Sequence, residues 1–249
     1  MEEMGLVLTL IVGLFILLGS IIIFVTKNND NIVNFSISIA FSVISFLIIL
    51  ELIPEAWELI RENNSLEKSL FLIFLFTFLG IIILKGLDFL VPHHEHKDDK
   101  QNLLHIGLIS SIALIMHNFI EGMAIYSSVN SSLELGILIS IGVGLHNIPM
   151  GMVITSTIYK ANNSIRKTIW LILLISISTF IGGLITFLNR NLLINNTILG
   201  IFLCLTLGML MFLVIFELLP HIIHTKNKKE TLIGIIIGMM VMFISFIIS

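Results

Sequence analysis

The chain has 249 residues, of which 57% are hydrophobic and 12% charged, with a formal net charge of −3. A mean hydropathy of +1.08 lies far above that of a soluble globular chain, so the expected solvent is the lipid bilayer. No long basic run is present, which excludes nucleic acid as an expected partner, and Cys204, the only cysteine, excludes an intrachain disulfide or a thiolate cluster.

Apolar segments long enough to cross a bilayer occur in chain order at 4–25, 33–57, 69–91, 103–127, 133–159, 166–188, 195–220 and 231–248, each close to the roughly 20 residues a spanning helix needs. An all-α protein of eight transmembrane helices is therefore expected. Open sheet edges cannot be satisfied in hydrocarbon, and the long runs lack the short alternating segments of a barrel. The opening "MEEMGLVLTL" has no basic region ahead of its apolar run and no small-residue cleavage pattern, and reads as a retained first helix. The connections "TKNNDN", "ENNSLEK", "YKANNSIRK" and "NRNLLINN" are short and polar, so residues 1–249 are expected to form a single transmembrane domain.

Orientation follows from the basic residues between the spans. Lys27, Lys85, Lys97, Lys100, Lys160, Arg166, Lys167, Lys226, Lys228 and Lys229 fall on one side, and Arg61, Lys68 and Arg190 on the other. The richer side is expected to be cytoplasmic. That places both termini outside a multi-pass protein of the cell membrane.

Two internal repeats stand out. "SVISFLIILELIPEA" at 42–56 and "GMLMFLVIFELLPHI" at 208–222 align without gaps and pair Glu51 with Glu217 and Pro54 with Pro220. Five spans separate the second helix from the seventh, so the copies run in opposite directions, the pattern of an inverted repeat and of a transporter. The second repeat lies in the fourth and fifth spans, "HNFIEGMAI" at 117–125 and "HNIPMGMVI" at 146–154, where His, Asn, Gly and Met recur in register. Residues i and i+4 share a helix face, so His117 points with Glu121 and His146 with Met150, near mid-membrane depth.

A divalent cation that sheds its water in the bilayer core must recover coordination from the protein. Imidazole and carboxylate suit zinc, iron and manganese. A bound cation would also offset the cost of an ionised Glu121 at that depth. Both ligand types bind metal only when deprotonated, so uptake is expected to weaken at acidic pH.

These paired motifs resemble those of the ZIP (Zrt/Irt-like) family of divalent metal transporters, and the resemblance covers essentially the whole chain. It implies a 3+2+3 plan with helices 1–3 and 6–8 as inverted repeats around helices 4 and 5, outside termini, inward transport of metal and no catalysed reaction. It also leaves a homodimer open. By position it makes His117, Asn118 and Glu121 metal ligands from helix four, and His146 and Asn147 from helix five. Zinc is the first expectation for the cargo, with iron, manganese and cadmium behind it, and no prosthetic group is expected.

The chain departs from the family pattern in two places. Ile120 replaces a proline usual on helix four, which should leave that helix straighter. Met150 stands where relatives usually carry a second bridging glutamate, so a mononuclear site is expected, held by His117, Glu121 and His146 with Met150 or water completing the set. Asn118 and Asn147 are then weak or supporting groups. Met150 remains open between a soft thioether ligand and apolar packing.

The flanks suggest a path. Glu51, Glu55 and Glu58 lie toward the outer end of helix two, where they either attract cations or are simply solvated. Glu217, His221 and His224 at the cytoplasmic end of helix seven suit an exit relay. His93, His94, Glu95 and His96 sit in a polar segment, 92–102, that is expected to be a cytoplasmic accessory loop. Rival readings are an intramembrane metal-dependent hydrolase acting beside Ser127, Ser128 or Thr155, a haem protein with His117 and His146 as axial ligands, and a non-transporting metal sensor.

Overall fold

A computed structural model describes residues 2–26, 29–91, 99–189 and 196–248. Among them are eight helices long and apolar enough to cross a membrane, and no strand. They are α1 (Glu2–Val25), α2 (Asp30–Glu62), α3 (Leu66–Leu90), α4 (Asp99–Ser131), α5 (Leu133–Asn162), α6 (Ile165–Leu188), α7 (Asn196–His224) and α8 (Lys228–Ile248). All eight expected spans are present, and most run longer than expected because polar ends continue the helix beyond the apolar run. The turns act as caps. Asn29, Ser65, Ser132 and Ser164 each accept a hydrogen bond from a backbone N–H in the first turn that follows. Asn163 closes α5 in the left-handed conformation, φ 50°.

The helix α4 begins at Asp99, so the last four residues of the expected 92–102 loop are helical. His93, His94, Glu95 and His96 lie outside the described residues, as do Lys27, Lys97 and Arg190.

Among the described residues, two helices contain a π-helical turn. In α2, residues Ile48–Leu52 form a π-helical turn in which the Ile53 N–H bonds back to the Ile48 carbonyl; in α7, Leu213–Leu218 do the same, with the Leu219 N–H on the Val214 carbonyl. Each turn comes just before a proline, Pro54 or Pro220, and each carries one of the two repeated glutamates. Proline supplies no N–H and its ring clashes with the carbonyl four residues back. Widening the helix by one residue relieves both, and it re-aims Glu51 and Glu217.

The helices pack most closely in pairs. Helix α1 lies on α5 and α6, α4 on α5 and α6, α2 on α8 and α7, and α3 on α7, while α2 and α8 also reach α5. Glycines make the close approaches. A Cβ on Gly122 would stand 1.8 Å from the Thr179 carbonyl oxygen, and one on Gly182 equally close to that of Phe119, which joins α4 to α6. Gly19 and Gly151 join α1 to α5, Gly80 and Gly208 join α3 to α7, and Gly234 and Gly238 join α8 to α2. Such backbone proximity replaces the hydrophobic effect, which cannot drive helices together in lipid. Burial then follows position: 67% of the apolar window of both α4 and α5 is inside, against 11% for α3. Accordingly α3 turns Phe71, Phe74 and Phe78 outward and buries Ser69, Gly80 and Leu84.

Candidate metal centre

The centre is built where α4 and α5 cross. The two helices are joined through Ser132 alone, which makes them antiparallel neighbours. His117 and Glu121 lie one turn apart on α4, and His146 comes from α5. Glu121 Oε1 is 2.9 Å from His117 Nε2 and 2.8 Å from His146 Nε2. The two imidazoles face each other across it with ring centroids 6.1 Å apart. Both histidines are buried, and the three candidate ligand atoms lie within 4.8 Å of one another.

The surrounding groups are polar and incompletely satisfied. Glu121 Oε2, Asn118 Oδ1 and both amide atoms of Asn147 are buried without a hydrogen-bond partner. Asn118 donates its Nδ2 to the Ile175 carbonyl of α6 at 3.4 Å, which anchors the amide and leaves its oxygen free. Orphaned polar atoms at such depth are costly unless a cation or water meets them. Met150 is fully buried one turn beyond His146 and belongs to the hydrophobic core. The helix α4 runs unbroken through Ile120, and α5 runs unbroken through Pro149.

A cavity of about 400 Å³ reaches this centre. Glu51, Glu55 and Glu58 of α2 line it, together with Glu121, Ala124 and Ser128 of α4. The three α2 carboxylates therefore face the same space as the central one. Glu51 Oε1 is buried there without a partner.

A second cluster lies at the other end of the molecule. His105 Nε2 of α4 is 2.7 Å from Asp88 Oδ1 of α3 and 3.5 Å from Glu217 Oε1 in the π-turn of α7. Counting along α4, it sits twelve residues before His117, about 18 Å away. Glu217 was expected in an exit relay; Asp88 and His105 were not. His221 instead bonds Asn34 Oδ1 at 2.8 Å, and His224 is exposed with Nδ1 on the Pro220 carbonyl. The signal available in the sequence was the presence of Asp88 and His105 at the polar margins of adjacent spans, but nothing local said that the margins of α3, α4 and α7 would meet.

The hydroxyls named for a hydrolase are committed elsewhere. Ser127 and Ser128 donate to carbonyls of their own helix, and Thr155 donates to Ser20 Oγ at 2.7 Å. The space between the two histidine rings, which an axially ligated haem iron would need, is held by the Glu121 carboxylate.

Comparison with known proteins matches this architecture. The profile of the family described as ZIP Zinc transporter matches residues 92–245. The chain is 30% identical to the Zinc transporter ZupT of Streptococcus mutans over 97% of this chain and 96% of the relative. It is 29% identical to the protein of that name from Chlorobium chlorochromatii, over 97% and 96%. With that of Salmonella heidelberg it shares 26% identity over 98% of this chain and 96% of the relative. A profile match over most of the chain and relatives aligned end to end lead to one conclusion: this multi-pass membrane protein belongs to the ZIP family.

Proposed function

We propose that the protein carries divalent transition-metal ions, zinc foremost, into the cytoplasm by alternating access. The observation that carries this reading is the convergence of Glu121 with His117 and His146 at the buried crossing of α4 and α5. Nitrogen and carboxylate donors in this number suit zinc, and zinc is the substrate in the names of the aligned relatives. A single metal fits a chain in which Met150 replaces a second central carboxylate, with water, Met150 or the two asparagine oxygens, Asn118 and Asn147, completing the set.

The path runs from the α2 cavity through the centre to the Asp88, His105 and Glu217 cluster. With the basic-rich ends of the helices in the cytoplasm and both termini outside, Glu58, Glu55 and Glu51 attract metal from the exterior. Glu217 with Asp88 and His105 then receives it on the cytoplasmic side, while the half-buried His221 and the exposed His224 lie one and two turns further along α7. Reciprocal packing supports an inverted repeat: α1 lies on α5 as α6 lies on α4, and α8 lies on α2 as α3 lies on α7.

The test is zinc flux into proteoliposomes holding the purified protein, with His117→Ala as the comparison. Saturable uptake in the wild type and its loss in the variant are expected. Binding of zinc with no flux would instead make the protein a sensor.

A further inference from the structure

Helix α8 contributes a polar side chain to the centre that the motifs on α4 and α5 do not contain. Ser245 is fully buried. Its Oγ stands beside two groups of α5, 2.9 Å from the Gly142 carbonyl oxygen and 3.4 Å from His146 Nδ1.

A serine hydroxyl has one proton to give and lone pairs with which to accept. The Gly142 carbonyl can only accept, so the proton goes there. What Ser245 turns toward His146 is a lone pair, and Nδ1 must therefore carry the proton of the neutral ring. Nε2 then keeps its own lone pair, and Nε2 is the atom 2.8 Å from Glu121 Oε1. Two acceptors face one another at hydrogen-bond distance, an arrangement that a divalent cation completes. The arrangement matches a general feature of metal-binding histidines, in which the nitrogen opposite the metal donates to a fixed acceptor that sets tautomer and ring orientation.

We propose that Ser245 is a positioning residue for the transported metal, holding His146 with Nδ1 protonated and Nε2 presented to the cation. The inference rests on the metal-transport reading. The contact belongs to a seam in which α8 packs on α5, the helix of His146, as well as on α2. The packing of α8 thereby sets the ring that binds the cargo.

The experiment measures zinc binding by the detergent-solubilised full chain, and zinc flux in proteoliposomes, for the wild type, Ser245→Ala, Ser245→Thr and Met242→Leu. Met242 is another fully buried residue of α8 and controls for helix packing. Ser245→Ala is expected to weaken zinc binding and raise KM by about 10- to 100-fold, with the maximal rate and the metal-free unfolding temperature largely kept. Ser245→Thr, which retains the hydroxyl, is expected to recover most of the affinity, and Met242→Leu to bind as the wild type does. In a His146→Ala background, Ser245→Ala is expected to cost nothing further, because its effect passes through that ring.

Unchanged zinc binding in Ser245→Ala, an equal loss in Met242→Leu, or collapse of the Ser245→Ala fold would each overturn the positioning role. Zinc binding that responds to Ser245 in a protein without flux would support the positioning role and overturn the transport reading instead.

Discussion

Among the described residues, Glu121 is the carboxylate within hydrogen-bond distance of both central imidazoles, and Met150, on the same helix as His146, is fully buried without a charge. The difference between them is a prediction about selectivity. A thioether favours soft cations and a carboxylate hard ones. Met150→Glu is therefore expected to move the ranking in competitive uptake away from cadmium and toward zinc and manganese. A buried carboxylate without a partner costs several kcal/mol, so the variant should also be stabilised by added zinc more than the wild type is. An unchanged ranking would assign Met150 to packing. His117 and Glu121 were legible from their i, i+4 spacing, which is a local property of a helix, and His146 from the repeat of the motif on the next span. Ser245 was not, because a lone serine in an apolar span gives no sign of which neighbouring helix it meets.

At the scale of elements, the glycines fix how near the helices come. Gly122→Ala would drive a methyl group to 1.8 Å from the Thr179 backbone oxygen, and backbone cannot rotate aside as a side chain can. A loss of about 1–3 kcal/mol or more is expected, read as a lower unfolding temperature in detergent together with lower uptake. Gly86→Ala on α3 meets nothing within 4 Å, so it should be neutral or slightly stabilising, since alanine is the better helix former. Equal behaviour of the two variants would show that the close contacts do not hold the bundle. The repeat that pairs Glu51 and Pro54 with Glu217 and Pro220 was visible in the sequence, and so was the loss of a helical bond at each proline. That both helices answer by forming a π-turn around the glutamate was not visible, because a proline can also be met by a kink, and tertiary packing selects between them.

For the whole molecule, the central question is which end of the cavity faces outward. Ser128 lines the cavity, and the native Cys204 is fully buried. A Ser128→Cys variant in right-side-out vesicles is thus expected to react with a membrane-impermeant thiol reagent from outside, and zinc should slow the reaction. The wild type, with only Cys204, should stay unlabelled. Labelling from the cytoplasmic face alone would invert the orientation drawn from the basic residues.

Length, hydropathy and helical spacing determined by themselves that this chain has eight segments long and apolar enough to cross a membrane and that His117 stands with Glu121 on one span. These are properties of chain segments, set by the thickness of the bilayer and the period of the helix, and they can be read without knowing what packs where. Only the tertiary structure decided that His146 closes on the same carboxylate oxygen as His117, that Asp88 and His105 join Glu217, and that Ser245 reaches His146 from the last helix. Each of those depends on the rotation and approach of helices far apart in the chain. Glycine contacts and the two π-turns set that rotation and approach, by steric fits between surfaces that no single segment contains.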